Sequence, residues 1–419
     1  MRQPIESETH CQITRLPNGV RVATESMPQA KTVSLGLWIE AGSRHEGPGQ
    51  EGMAHLWEHM AFKGTTSLDT LAIAKELDLL GGLANAYTSR EVTCYYTRVM
   101  DSHLPRAFDI MTDIALHPRL DPEELHREQG VILQEISMVD ETPEDKINED
   151  FWQAAWENPT VAHPITGNAA SVSSATPRTM QAWRQAHYRP SALTIAAAGA
   201  ISHETLAGMA ARALDLLPPG GVPAPTPAGA YRPPRLAIHQ DCEQHHVILA
   251  FPSVGNTSPH RYTHSILSTL LGGNMSSRLF QEVREKRGLA YNIDASVVAL
   301  ADAGLLQIQA AVDPGRTEEL LAVVRGELDG LAAGHITEAE LHHTREHLKG
   351  LLYLGAESTE NRMMRLGRNT ILFDRPIPLE ATAAALDAVT LDDLIQTART
   401  SFDPARAGLC ILGPKAQLP

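Results

Sequence analysis

The sequence is poor in cysteine: Cys11, Cys94, Cys242 and Cys410 are the only four in 419 residues, and none forms a C-x-x-C pair. Scattered single cysteines read as ordinary buried thiols of a reducing compartment rather than as a disulfide framework. No run of 18 apolar residues occurs anywhere, which argues against a membrane-spanning helix. The start, Met1 to Glu8, carries no apolar stretch, so no secretory signal is expected and the expected location is cytoplasmic. Positive charge is also scarce. With 35 Lys+Arg against 50 Asp+Glu, the formal net charge is −15, and no nucleic-acid partner is expected, since that role asks for a basic face. If part of the excess acid lined a chamber it would favour basic peptides; charge spread over the outer surface is the alternative. What the chain does have is 43% hydrophobic residues, enough for packed cores in two or three domains.

Its most informative stretch is Gly52-Met53-Ala54-His55-Leu56-Trp57-Glu58-His59-Met60. On a helix, His55 and His59 stack one turn apart and can share one small cation. Glu58 leans toward the same point. H-x-x-E-H is the inverted zinc-peptidase pattern, with histidines as ligands and the glutamate as base. A second stretch, His343-Thr344-Arg345-Glu346-His347, fits the same template, so the pattern needs a third ligand to carry weight. Downstream of the first copy, Glu128 and Glu135 lie seven residues apart in one helical segment and share a face. The second copy has no such segment after it. Its neighbours, Glu340 to Lys349, read as a solvated face, whereas Met53, Ala54, Leu56, Trp57, Met60 and Phe62 suit a buried, dry site.

These residues resemble the pitrilysin and insulinase zinc peptidases, and within them the subfamily of mitochondrial processing peptidase type, built from subunits of about this length. In that family the third ligand is a glutamate 76 residues after the second histidine, which falls on Glu135, and a further acid seven residues earlier falls on Glu128. The resemblance implies one Zn²⁺ per chain held by His55, His59 and Glu135, with Glu58 as the catalytic base and Glu128 orienting a histidine; a structural ion pair is the alternative for Glu128.

Along the chain, Pro17-Asn18-Gly19 between alternating residues is a hairpin signal. Strands are expected at Val33–Ala41, Val92–Val99 and Leu193–Gly199, and helices at Leu68–Leu80, Leu104–Leu116 and Pro122–Met138. The run Leu217 to Pro234 is too rich in proline for a helix or central strand and reads as a stiff linker. The expected domains are 1–217 (catalytic), 218–234 (linker) and 235–419 (non-catalytic). The halves look like copies offset by roughly 214 residues. Val33–Gly42 matches Val247–Gly255, and Tyr188-Arg189-Pro190 matches Phe402-Asp403-Pro404. The fold class expected is α+β: two homologous domains, each a mixed sheet packed with helices. In the second copy His264, Leu267 and Ser268 replace the metal residues. The cluster His239, His245 and His246 reads as the exposed start of a strand.

The resemblance also assigns substrate-binding roles. Arg284 and Tyr291 match an arginine and a tyrosine that project from the non-catalytic copy; the alternative is a basic helix end followed by a core tyrosine. Asn85 and Ala86 fall in the family's edge-strand segment, which pairs with substrate backbone; the alternative is a turn entering the next strand. Catalytic and non-catalytic halves of such proteins enclose a chamber that selects unfolded peptides by size. For a chain this short two subunits must combine, so the expected partners are peptide substrates and a second copy in a homodimer. Two alternatives stand beside the zinc endopeptidase: the active subunit of a leader-processing heterodimer with an inactive homologue, and a non-catalytic assembly subunit.

Overall fold

The computed structural model describes residues 10–215, 217, 220–221 and 226–419. Residues 1–9 and 216, and 218, 219 and 222–225 of the expected linker, lie outside the described residues. Two sheets organise the chain. The first contains β1 (Cys11–Arg15), β2 (Arg21–Ser26), β3 (Thr32–Ile39), β4 (Leu83–Thr88), β5 (Thr93–Met100) and β6 (Leu193–Gly199), in the order β1-β2-β6-β3-β5-β4. The second contains β7 (Arg235–His239), β8 (His245–Ser253), β9 (Ala290–Ala299), β10 (Gly304–Val312) and β11 (Gly408–Gly413), in the order β7-β11-β8-β10-β9.

Set side by side, the last five strands of the first sheet and the five of the second follow one pattern. β2 lies parallel to β6 as β7 does to β11. Every other neighbouring pair in the two five-strand series is antiparallel. β3 and β8, which carry the matched segments at Val33 and Val247, occupy the same place. The chain is thus a duplicated α+β fold.

Local chemistry sets the helices that matter for the site. Gly52 begins α1 (Met53–Ala61) at φ 88, and a Cβ there would meet the Thr166 carbonyl oxygen at 2.7 Å, so only glycine fits. α2 (Thr70–Leu79) starts two residues later than expected because the Asp69 carboxylate accepts from Ala72 N–H and caps it. α3 (Leu104–Leu116) presents a buried stripe of Phe108, Ile110, Met111 and Ile114. Asp121 accepts from the backbone N–H groups of Glu123 and Glu124 at the head of α4 (Pro122–Glu141). α5 (Pro143–Ala155) follows at once.

The compact units are not the contiguous halves expected from the linker. One comprises the chain up to Gln134, Pro164 to the linker, and Tyr353–Pro378; the other comprises Glu135–His163, Thr226–Leu352 and Leu379–Pro419. Each half of the sequence lends a helix to the other's sheet. In the first unit, the helix Thr359–Phe373 covers the face that carries Ala23, Trp38, Cys94, Ala196 and Ala198 with its Met363 and Leu366. The Trp38 indole slots between Gly36 and Gly367, where a Cβ would come within 2.4 and 2.6 Å of the ring. In the second, α5 seals Ile248, Ala250, Leu305, Cys410 and Leu412 with Ile147, Phe151 and Trp152. The chain passes between units after residues 134, 163, 225, 352 and 378, so the linker is one of five connections and does not by itself define a hinge.

Smaller expectations are revised as well. Cys94 and Cys410 are buried, but Cys11 and Cys242 are only partly so. His245 is buried rather than exposed, because its ring nitrogens meet Thr317 Oγ1 and the Pro414 carbonyl at 2.8 and 2.9 Å. No helix among the described residues is long and apolar enough to cross a membrane.

Candidate metal centre

α1 is pinned to the core by Met53, Ala54, Leu56, Trp57 and Met60, all buried. Each such large side chain removed from water contributes roughly 1.5–3 kcal/mol. The Trp57 ring lies 5.0 Å from that of Tyr188, and its Nε1–H points at the Ala115 carbonyl. The remaining face of α1 carries His55, Glu58 and His59, which are half-buried; the site is therefore open on one side rather than fully dry.

Because Gly52 offers no side-chain cap, the helix takes one from a distance. Glu46, 1% exposed, accepts from Gly52 N–H and Ala54 N–H at 2.9 Å each. Burial pushes its pKa up to about 8 against the pull of those amides. Nothing local in the glycine-rich loop Gly42–Gly52 marks this glutamate as a cap.

The imidazoles of His55 and His59 stand edge to face with centroids 4.5 Å apart. One donor atom from each, together with a carboxylate oxygen of Glu135, all lie within 4.8 Å of one another. Glu135 belongs to the same unbroken helix as Glu128, so its place follows from α4, whose inner stripe runs Leu125, Glu128, Ile132, Glu135. Gln129 ties α4 down by donating to the Val172 and Ala175 carbonyls.

Glu128 is buried at 5% exposure and its two oxygens meet two donors. His59 Nδ1 lies 2.9 Å from Oε2, and Lys63 Nζ lies 2.7 Å from Oε1. Burial would raise this carboxyl, but the hydrogen bonds from His59 and Lys63 outweigh it and hold the pKa below the usual carboxylate range. An ionised carboxylate only accepts, so His59 carries a proton on Nδ1, which leaves Nε2 as the nitrogen that a metal would take. Burial, and secondarily the neighbouring His59, lowers His55 to about 4, so His55 is a neutral imidazole at neutral pH.

Tetrahedral zinc with ligands at about 2.0–2.1 Å needs donor atoms roughly 3.3 Å apart. Two imidazoles and a carboxylate already gathered within 4.8 Å need only small side-chain rotations to reach that geometry. The donor set fits zinc, with one position left open. Among the described residues no other trio of histidine, cysteine or acid comes together in this way. His343 and His347 are exposed, and Glu346 pairs with Lys349 at 2.6 Å, so the second H-x-x-E-H copy is a solvated helix face. At the matching place in the second unit, His264 is buried and bonded to Ser253 Oγ at 2.9 Å, beside buried Leu267 and Ser268.

Glu58 accepts a hydrogen bond from Thr88 Oγ1 at 2.5 Å. Tyr95, Tyr188 and Cys94 lie behind it; burial above all raises their pKa values, followed by the Glu58 charge for Tyr188 and Cys94 and by Tyr188 ahead of Glu58 for Tyr95, and all three stay neutral. Thr88 ends β4, which is itself a strand and the last one in the sheet order, not a turn. Asn85 is exposed on it and Ala86 half-exposed, with the Asn85 side chain accepting from Ala86 N–H at 2.9 Å.

In the second unit, the Arg284 guanidinium lies over both the Phe280 and Tyr291 rings, 4.8 and 4.6 Å from their centroids. Tyr291 is 81% exposed, which rules out a core tyrosine. The nearby cations Lys286 and Arg287 are both engaged by Glu282, whereas Arg284 pairs with Glu285 at 3.7 Å beside its two aromatic rings.

Residues 21–169 match the domain described as Insulinase (Peptidase family M16), and residues 174–348 match the Peptidase M16 inactive domain. An uncharacterized zinc protease of Mycobacterium tuberculosis is 38% identical over 406 residues, covering 96% of this chain and 92% of that one. The uncharacterized zinc protease YmxG of Bacillus subtilis is 33% identical over 402 residues, covering 96% and 98%. Among solved structures, a protease from Helicobacter pylori superposes with a TM-score of 0.90 at 21% identity, over 96% of this chain and 99% of the other.

Proposed function

Because the chain belongs to the insulinase family of peptidases (peptidase family M16), we propose that it is a zinc-dependent endopeptidase acting on unfolded peptides. The observation that carries this reading is the convergence of His55, His59 and Glu135 on one point, on a helix that also carries Glu58. A zinc ion bound there supplies Lewis acidity that polarises a peptide carbonyl and makes water more acidic. Glu58 takes the proton of the attacking water and hands it to the leaving amine nitrogen. Glu128 holds His59 in the tautomer and orientation that coordination requires. The free edge of β4 at Asn85 and Ala86 receives substrate backbone by strand addition. Arg284 and Tyr291 contribute a cation and a phenol suited to hydrogen-bonding the scissile region's carbonyl oxygens.

The test is incubation of the lone purified chain with a mixed peptide pool, with and without chelator, read by mass spectrometry. Chelator-sensitive cleavage, about one zinc per chain, and loss of cleavage but not of zinc in Glu58→Gln are expected. Full zinc occupancy in His59→Ala would refute the ligand assignment. A leader-processing enzyme with an inactive partner differs in one respect: its lone catalytic chain stays silent in this assay.

A further inference from the structure

The metal ligands and Glu128 account for α1 and α4, but they leave open what aims the base. Glu58 is held from a different element. Thr88 Oγ1 lies 2.5 Å from Glu58 Oε2 and also 3.4 Å from Thr93 Oγ1. A threonine hydroxyl has one proton. Thr93, itself 0% exposed, sends its own to the Ala41 carbonyl at 2.9 Å. The Thr88 proton, by far closer to the carboxylate than to Thr93, goes to Glu58. The strand fixes this arrangement, because Thr88 pairs with Thr93 in the β4–β5 ladder and Thr93 pairs with Ile39 in β3. The hydroxyl is therefore anchored to the sheet interior.

We propose that Thr88 is the positioning residue for Glu58, fixing the carboxylate rotamer through Oε2 so that the reaction's proton is carried on the other oxygen. The inference rests on the peptidase reading for its kinetic part. Its chemistry balances without a further reactant: Oε2 remains the acceptor of one standing hydrogen bond, while the proton taken from water sits on Oε1 and leaves with the amine. Thr88 also terminates the strand whose edge is suited to substrate backbone, so seating of a peptide and alignment of the base share one short piece of chain.

The variants are Thr88→Val, which keeps the β-branched shape and removes the hydroxyl, and Thr88→Ser, which keeps the hydroxyl. A hydrogen bond to a charged group of this kind corresponds to roughly ten- to a hundred-fold in rate. In the zinc-loaded full chain, Thr88→Val should lose about that much kcat with KM within about twofold and zinc content unchanged, while Thr88→Ser stays within about threefold of wild type. Crystal structures of both variants give a readout independent of activity: the Glu58 carboxylate should swing from its place in Thr88→Val and keep it in Thr88→Ser. The proposal is overturned if Thr88→Val retains wild-type kcat, if Thr88→Ser is equally impaired, or if Glu58 does not move in the Thr88→Val crystal. Should the wild-type chain cleave nothing, the peptidase reading fails by itself, and the crystallographic comparison still decides the role of Thr88.

Discussion

Replacing Glu128 by glutamine tests whether the carboxylate behind His59 matters as a double acceptor. The native side chain offers two acceptors to two donors, His59 Nδ1–H at 2.9 Å and Lys63 Nζ at 2.7 Å. A glutamine of the same shape offers one acceptor and one NH₂. Whichever way the amide is turned, an N–H faces either the imidazole N–H or the ammonium, so one interaction is lost and becomes repulsive. Loss of such an outer partner typically weakens metal binding about 10- to 100-fold, or roughly 1.4–2.7 kcal/mol, which agrees with the roughly 1.5–3 kcal/mol assigned to a hydrogen bond involving a charged group. Competition against a chromophoric chelator measures the zinc Kd directly. Lys63→Met is the control: it removes the second donor and leaves the His59 contact, so zinc affinity should change by no more than about threefold. Lys63 retains some exposure, and its pairing contributes about 1 kcal/mol or less to the fold. If Glu128→Gln binds zinc within twofold of wild type, or if Lys63→Met weakens it as much, the orienting role is refuted.

Two further outcomes follow from the geometry. His187 lies 3.9 Å from the Trp183 ring, and burial lowers its pKa to about 4 from about 6.5. The unfolded chain therefore takes up a proton that the folded chain refuses. This contribution to stability is complete above about pH 6.5 and is lost as pH falls toward 4; the metal-free His187→Phe protein should show a shallower loss over that window than wild type in denaturant titrations, and equal slopes would contradict the assignment. If Arg284 serves a zinc site on another subunit, mixing Arg284→Ala with Glu58→Gln subunits restores peptide cleavage by building one intact site; if it serves its own chain, the mixture stays inactive.

The metal centre was legible because its signals are periodic. Two histidines four apart and two acids seven apart on helices define faces without any knowledge of the fold, and Glu135 and Glu128 lie on one stripe of α4 as their spacing requires, but that Glu135 should join the two histidines was implied by the family resemblance and not by period. The duplication was legible for a similar reason, since matched strands keep matched patterns. What could not be read was partnership across long separations. The amphipathic patterns of α5 and of Thr359–Phe373 announce that each helix has an apolar face, but not which sheet receives it. Glu46 caps α1 through backbone amides six and eight residues on, and Thr88 reaches Glu58 across thirty residues; neither interaction leaves a local trace. His245 reversed the expected exposure because burial at a strand's first residue is decided by what packs over it.

The exchange of helices between the two lobes has a bearing on how such a chain can evolve and be manipulated. A cut in the proline-rich segment would yield two fragments, each with a naked wall, one showing Trp38 and Cys94 to water and the other Ile248 and Leu305. Neither piece should persist alone, whereas the two made together can rescue one another by trading back what each lacks. With each sheet roofed by a helix from the other half of the sequence, neither half is dispensable to the other's folding, whichever of them carries the candidate metal ligands.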